Sequence, residues 1–91
     1  MDTQKFIRLA IDMVVEYFNA NVDVTNRMAL KPEDVYVVWL CKTCGNNKAM
    51  LSTSVPDGMY YEITYNGSKK EVYLDAYKKW QHEVKTVLTM K

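Results

Sequence analysis

The sequence has little of several residue types that binding and catalysis often use. Its 91 residues include one histidine and two cysteines, and only two of the 12 basic residues are arginines, Arg8 and Arg27. The formal net charge is +1. Arginine is the better bidentate reader of phosphate and guanine, and a nearly balanced charge gives no general attraction to polyanions. The composition therefore argues against nucleic-acid binding.

Long apolar runs are also lacking. Charges at Lys5, Arg8, Asp12 and Glu16 interrupt the N-terminal segment, which does not resemble a secretory signal. No run reaches the ~18 apolar residues that a membrane span needs. We therefore expect a cytoplasmic protein that does not enter a membrane.

Candidates for catalysis and metal binding are few. Cys41 and Cys44 have the spacing of half a zinc ribbon, but a closed zinc site needs four ligands and His82 is the one histidine. Cys41 is more simply interpreted as a buried strand residue. The sequence shows no nucleophile elbow and no phosphate loop. We expect no enzymatic activity, no metal and no cofactor.

Residues 3–19 are predicted to form an amphipathic helix. Polar residues recur at helical spacing, and Asp2 or Thr3 can cap the first amides. The apolar arc that remains is wider than packing on one sheet requires. One interpretation is a helix sunk deep against its own sheet. The other is a helix that also contacts a second protomer, so that the chain forms a homo-oligomer through this helix.

Four strands are predicted after an irregular connection at 20–33. Their alternation and turn residues place them at 34–43, 47–54, 59–65 and 70–74. The first strand is apolar on both sides, with Val35, Val37, Trp39 and Cys41 on one face and Tyr36, Val38 and Leu40 on the other. Asn66-Gly67 is the strongest short hairpin signal, because both residues tolerate a positive φ.

A second helix is predicted at 75–89. Asp75 can cap it, and apolar residues recur at helical intervals after it, at Ala76, Trp80, Val84, Val87 and Leu88. The resulting order is a helix, four strands and a helix. We therefore predict a single α+β domain over residues 1–91, with an N-terminal helix, a four-stranded antiparallel sheet of two hairpins and a C-terminal helix.

The outward sheet face is the candidate ligand-binding surface. It combines flat aromatic rings with short hydrogen-bonding groups, which could stack a base and bond its edges; its residues are Lys48, Ser52, Tyr60, Glu62, Thr64 and Tyr73. The alternative is a solvated face held by ordinary cross-strand pairs. A basic cluster of Lys69, Lys70, Lys78 and Lys79 is predicted nearby, where it could receive a phosphate.

Three strings carry a family resemblance: VYVVWLCKT (35–43), NNKAMLST (46–53) and DGMYYEITYNGSKKEVYLDAYKKW (57–80). With the helix end VVEYFNA (14–20), they resemble a family of small proteins of unknown function. That family is encoded mainly by phages, prophages and mobile elements of Gram-positive bacteria. It typically has a residue other than cysteine at the position of Cys44, and no catalytic residues come with it.

The resemblance implies a phage accessory protein that acts in the cytoplasm of a host bacterium. Small phage proteins of this kind often counter host defence. We expect a protein that binds and sequesters a nucleotide-derived host signal. The alternative is a protein-interaction module that blocks a host protein directly, and a weaker alternative is a nucleic-acid-binding domain.

Overall fold

The computed structural model describes residues 1–21 and 29–87. The elements are helix α1 (Thr3–Asn21), a short 3-10 helix (Pro32–Asp34), and strands β1 (Val35–Thr43), β2 (Asn46–Thr53), β3 (Met59–Asn66) and β4 (Glu71–Lys78). The strands form one antiparallel sheet in the order β1-β2-β3-β4. The predicted N-terminal helix and four-stranded sheet are confirmed. Most of the predicted connection between them, residues 22–28, lies outside the described residues.

Helix α1 begins at a capped turn and packs along one side. The Asp2 carboxylate accepts a hydrogen bond from the backbone N–H of Lys5 at 2.9 Å, which holds the pKa of Asp2 below its ordinary value. Four residues at intervals of four are buried: Phe6, Ala10, Val14 and Phe18. This spacing puts them on one face of the helix, which therefore forms one side of the core.

The inner face of the sheet, which packs against α1, forms the other side. Its fully buried members include Ala49, Leu51, Tyr61 and Ile63. Val72 and Leu74 of β4 and Met59 and Tyr65 of β3 are partly buried against the same cluster. Alternation along β2, β3 and β4 predicts that these eight residues face inward, and the structure confirms it. Burial of these side chains stabilises the contact between helix and sheet, and a fully buried Leu51 or Ile63 contributes roughly 1.5–3 kcal/mol.

A β-bulge in β1 changes the faces predicted for this strand. Val37 lies opposite Leu51, whereas Trp39 lies opposite the neighbouring Met50, so Val38 is the extra residue. Val37 and Trp39 were predicted to share a face, but the bulge puts them on opposite faces. Tyr36, Trp39 and Cys41 lie on the outer side.

Two of the three hairpin turns lie at the same end of the sheet. Strand β1 connects to β2 through Cys44 and Gly45, whose φ values of 48° and 80° define a two-residue turn of the type that matches strand twist. The hairpin predicted at Asn66-Gly67 is confirmed between β3 and β4, but Asn66 still belongs to β3, where it pairs with Glu71, and residues 67–70 form the loop. The Asn66 carboxamide oxygen accepts bonds within that loop, from the Ser68 hydroxyl and the Lys69 N–H.

The predicted C-terminal helix is not seen. Residues 75–78 belong to β4, where Asp75 pairs with Glu62 and Lys78 with Met59. The Lys79 N–H donates to the carbonyl oxygen of Gly58 at 2.8 Å, which extends the pairing by one residue. Residues 80–87 have no regular secondary structure, and 88–91 lie outside the described residues. Strand pairing therefore overrides the helical spacing at the start of this segment.

Within residues 1–21 and 29–87, neither α1 nor the 3-10 helix is both long and apolar enough to span a membrane.

Candidate functional site

The outer face, defined as the sheet surface opposite α1, is the most distinctive surface of the protein. Cross-strand partners share a face, so the register assembles three rows on it. The rows are Cys41–Lys48–Thr64–Tyr73, Trp39–Met50–Glu62–Asp75, and Tyr36–Ser52 continued by Tyr60–Tyr77. No helix that the structure describes packs on this surface, which leaves large side chains in contact with solvent.

The structure brings most of the predicted ligand-binding residues together on the outer face. Lys48, Thr64 and Tyr73 are neighbours in one row, Glu62 lies in the next, and Tyr60 lies in the third. Each comes from β2, β3 or β4, where strict alternation fixes the direction of the side chain.

Ser52 does not contribute a free group to this surface. Its side chain is buried, and its hydroxyl donates to the carbonyl oxygen of Met59 at 2.9 Å. The prediction that Ser52 points into solvent is therefore wrong. The hydroxyl instead joins the end of β2 to the start of β3, where the sheet register no longer supplies a backbone bond.

Sequence reasoning missed the apolar half of the outer face. Tyr36 and Trp39 of β1, Met50 of β2 and Tyr77 of β4 lie there, and the two tyrosines are about half exposed. Trp39 was grouped with Val35 and Val37, whereas the bulge puts it on the same face as Tyr36. Tyr77 was assigned to a helix. Alternation within VYLDAYK, with Tyr73 and Tyr77 four residues apart, was the signal that could have found Tyr77.

Carboxylates outnumber cations on the outer face. Among the residues of the four strands, Glu62, Glu71 and Asp75 lie there with one lysine, Lys48, whose Nζ is 3.7 Å from Glu62 Oε1. The Tyr77 hydroxyl donates to the same Glu62 oxygen at 3.5 Å. The partial neutralisation of Lys48 by Glu62 leaves the face with an excess of negative charge.

These carboxylates raise the pKa values of two tyrosines. The Tyr73 hydroxyl donates to Glu71 Oε1 at 2.9 Å, and this hydrogen bond raises the pKa of Tyr73. The negative charge of Glu62 raises the pKa of Tyr77. Both phenols therefore stay protonated at neutral pH, where each can donate a hydrogen bond.

An open cleft lies at one end of the outer face, beside the first hairpin turn. It has a volume of about 270 Å³ and is lined by Cys41, Thr43, Cys44, Asn46, Lys48 and Thr64. Both thiols are exposed, so the prediction that Cys41 is buried is wrong. The Cys41 thiol lies 3.5 Å from the Thr43 hydroxyl. In the described part of the chain, no three side chains of the metal-binding types lie close enough to hold an ion.

The predicted basic cluster does not form. Lys69 and Lys70 lie in the loop before β4, whereas Lys78 and Lys79 lie at its far end. Since a strand rises about 3.4 Å per residue, the two pairs are roughly 24 Å apart. One of the four still touches the outer face, because the Lys79 ammonium lies 5.8 Å from the centre of the Tyr60 ring.

The protein is a small α+β domain built on a four-stranded antiparallel meander. Helix α1 covers the inner face of this sheet, and the outer face is open. Residues 7–87 match the model of a family of unknown function, DUF6275, and the chain belongs to this family. The resemblance to a family of unknown function is therefore confirmed. No curated protein and no solved structure matches the chain.

Proposed function

We propose that the protein is a non-enzymatic interaction module that binds another protein through its outer face. The observation that carries this proposal is the open aromatic surface formed by Tyr36, Trp39, Tyr73 and Tyr77, which are 39% to 53% exposed. Tyrosine and tryptophan are enriched at protein interfaces, because a ring supplies contact area while its polar atom satisfies a hydrogen bond. Contiguous exposed apolar patches mark interaction surfaces.

The chemistry of the outer face defines the partner it fits. Its aromatic rings suit an apolar or aromatic surface, and its excess of carboxylates suits a basic rim. Sheet faces are flat, so a helix or a second sheet covers this one more completely than a compact small molecule does. We therefore propose a protein partner with apolar side chains flanked by lysine or arginine.

The family resemblance supplies the proposed biological setting. We propose that the protein is encoded by phages, prophages or mobile elements of Gram-positive bacteria and acts in the host cytoplasm. Its partner would be a host defence protein that it blocks by covering a functional surface. This proposal rests on likeness among small phage proteins and on the open face, and gene context would supply independent support.

Site-specific photo-crosslinking in the host tests this function. A photoreactive phenylalanine analogue replaces Tyr73 on the outer face or, as a matched control, Lys5 on the exposed side of α1. We expect the Tyr73 position, and not Lys5, to give one discrete adduct whose partner mass spectrometry identifies. A second outer-face position, Tyr36, should capture the same partner. Equal labelling from Lys5, or different partners from the two tyrosines, would refute the proposed face.

A nucleotide-derived host signal is the second candidate ligand, and the cleft beside the first hairpin favours it. Lys48 and Thr64 line this cleft, and Tyr73 follows Thr64 in the same row. A phosphate could bind the lysine while a base stacks on the tyrosine. In this form the protein sequesters a signalling nucleotide and does not turn it over.

A thermal-shift screen separates the two candidates. Cyclic dinucleotides, cyclic ADP-ribose isomers and nicotinamide dinucleotides are added to the purified chain. A ligand at a hundred times its dissociation constant adds roughly 2.7 kcal/mol, which raises the Tm of a small domain by several degrees. A shift that Lys48→Ala abolishes would favour sequestration. A panel without shifts would leave the protein-interaction function as the better proposal.

We also propose that the protein works as a homo-oligomer and that its C-terminal segment becomes helical in the assembly. The predicted interface on α1 is supported by Ile7, Ile11 and Met13, which flank the buried stripe and are only half-buried. The C-terminal segment is a stronger candidate, because its apolar side chains are far more exposed.

A further inference from the structure

The segment Lys79–Val87 and the outer face each leave apolar side chains in water. In the segment, Trp80 is 95% exposed, Val84 77% and Val87 72%. The accessible surface of the chain is 6870 Å², whereas a compact monomer of 10.6 kDa has roughly 5500 Å². The excess is larger than the roughly 800 Å² that each partner contributes to a standard protein interface. Both surfaces therefore have the character of an interface whose second half is absent.

The spacing of the segment's apolar residues matches a helix that could cover the face. Trp80, Val84 and Val87 stand at i, i+4 and i+7, so a helix places all three on one side. Gln81, His82 and Lys85 then point away from that side. Eight helical residues span roughly 12 Å, a little less than the roughly 14 Å between the outer strands of a four-stranded sheet.

One cation of the segment lies beside the carboxylates of the outer face. The outer face carries Glu62, Glu71 and Asp75, whereas in the segment Lys85 lies 3.8 Å from Glu83, which leaves Lys79 as the unpaired lysine. Lys79, the first residue of the segment, already contacts the outer face, because its ammonium lies over the Tyr60 ring. The segment therefore leaves the sheet on the side that it is suited to cover.

The connection between β4 and the apolar stripe decides whether the segment covers its own sheet or the sheet of a second copy. Lys79 is still bonded to Gly58, and the apolar stripe begins at the next residue, Trp80. Turns from a strand into a helix on the same sheet normally use 2–6 residues. Residues 79–87 contain neither glycine nor proline to make a tighter reversal. A short connection of this kind directs the segment away from its own sheet and favours exchange between copies.

We infer that residues 80–87 form a helix that docks on the outer face of a second copy of this chain, and that the exchange is reciprocal. The resulting dimer has two-fold symmetry, with each face covered by the partner copy's segment. The exchange itself does not depend on the proposed function. The consequence for function does: a host protein that binds the outer face must displace the exchanged segment, so dimerisation would regulate access to that site.

Matched substitutions in the full chain test the exchange. Val84→Asp puts a charge in the apolar stripe, and Gln81→Asp puts the same side chain on the opposite side of the same helix. We expect light scattering to give a dimer for the parent and for Gln81→Asp, and a monomer for Val84→Asp. Tryptophan emission should move to longer wavelength in Val84→Asp alone. Unchanged cooperative unfolding of the sheet would show that Val84→Asp remains folded.

A mixing experiment tests reciprocity. Trp39→Asp impairs the face but leaves the segment intact, whereas Val84→Asp does the reverse. Each variant alone should be a monomer, and their mixture should form a heterodimer with one exchanged segment. A mixture that stays monomeric would overturn the face-to-segment contact. A parent that is monomeric at every concentration, or a Val84→Asp variant that stays dimeric through another surface, would overturn the inference as well.

The two proposals fail in distinguishable ways. A monomeric parent whose Tyr73 position still captures a single host protein would refute the exchange and keep the proposed function. A dimer with the expected variant pattern and no host partner would keep the exchange and refute the function.

Discussion

Gly67 lies against the carbonyl group of Gly45, so the turn between β3 and β4 touches the turn between β1 and β2 at the backbone. A Cβ on Gly67 would clash with the Gly45 carbonyl oxygen. The contact is reinforced by the Gly67 N–H, which donates to the Asn46 carboxamide at 3.0 Å. Since the φ of Gly67 is not positive, the need for glycine here is steric and not conformational. This contact fixes the turn end of β3 and β4 against that of β1 and β2.

Gly67→Ala is expected to destabilise the protein by about 1–3 kcal/mol, because neither backbone can move without disturbing its strands. Chemical denaturation monitored by circular dichroism measures the change. Lys69→Ala is the matched control in the same loop, where the side chain is exposed and a substitution should cost less than about 0.5 kcal/mol. Equal stabilities for the two variants would show that the turns do not constrain each other.

Cys44 occupies a turn position that a different residue would stabilise. Its φ of 48° lies in the left-handed region, and it precedes Gly45 in a turn for which Asn-Gly is the preferred pair. We expect Cys44→Asn to raise the free energy of unfolding by about 0.5–1 kcal/mol. Cys41→Asn makes the same change in an extended strand and should give no gain. A loss of stability in Cys44→Asn would mean that the thiol makes a contribution of its own.

Local periodicity was sufficient to predict α1, the four strands and the inward-facing residues of β2, β3 and β4. The stripe of Lys5, Arg8, Asp12 and Glu16 marks a helix because every polar residue returns to one side after three or four positions. In β3, the alternation of Tyr61 and Ile63 with Glu62 predicts the faces correctly. These elements could be read because one face is buried and the other is not.

The bulge in β1 and the C-terminal end of β4 could not be predicted from local periodicity. Strand β1 is apolar on both faces, so inserting Val38 leaves no break in the pattern. Trp80 and Val84 favour a helix at the C-terminal end, but Asp75 and Tyr77 pair with β3, a contact that local spacing does not encode. The candidate site shows both effects: Tyr60 and Tyr73 were found from alternation, and Trp39 and Tyr77 were missed.

Leu51 and Leu40 offer a matched test of where the core lies. Leu51 is fully buried on the inner face, whereas Leu40 is 41% exposed in the edge strand. Leu51→Ala should cost about 2–5 kcal/mol, because it removes buried methyl groups and leaves a cavity. Leu40→Ala should cost clearly less than Leu51→Ala. Thermal and urea unfolding of both variants measures the difference, and the reverse order would show that α1 does not cover the inner face.

The Asp2 cap should make stability depend on pH in the acid range. The Lys5 N–H lowers the pKa of Asp2 below its ordinary value of 3.8. A group whose pKa is lowered by folding stabilises the protein above 3.8, and this contribution is lost as the pH falls through the folded value. Asp2→Ala should therefore lower the Tm at neutral pH and change it least in strong acid.

Asp2→Asn is the control for this pH dependence, because it keeps an acceptor for the Lys5 N–H but carries no charge. Its Tm should lie between those of the parent and Asp2→Ala at neutral pH. A difference between the parent and Asp2→Ala that does not change with pH would exclude a role for the carboxylate charge.

Asn46 and Asn47 are neighbours in sequence but should respond in opposite ways to the same substitution. Asn47 is 1% exposed, and neither its carboxamide oxygen nor its nitrogen has a hydrogen-bond partner within the described ranges 1–21 and 29–87. An unpaired buried amide costs about 1–3 kcal/mol, so Asn47→Leu, which has a similar volume, should stabilise the protein. Asn46 is exposed and accepts the Gly67 N–H, so Asn46→Leu should destabilise it. Unfolding curves of the two variants give the sign of each change, and a destabilised Asn47→Leu would indicate that this amide binds an ordered water inside the sheet.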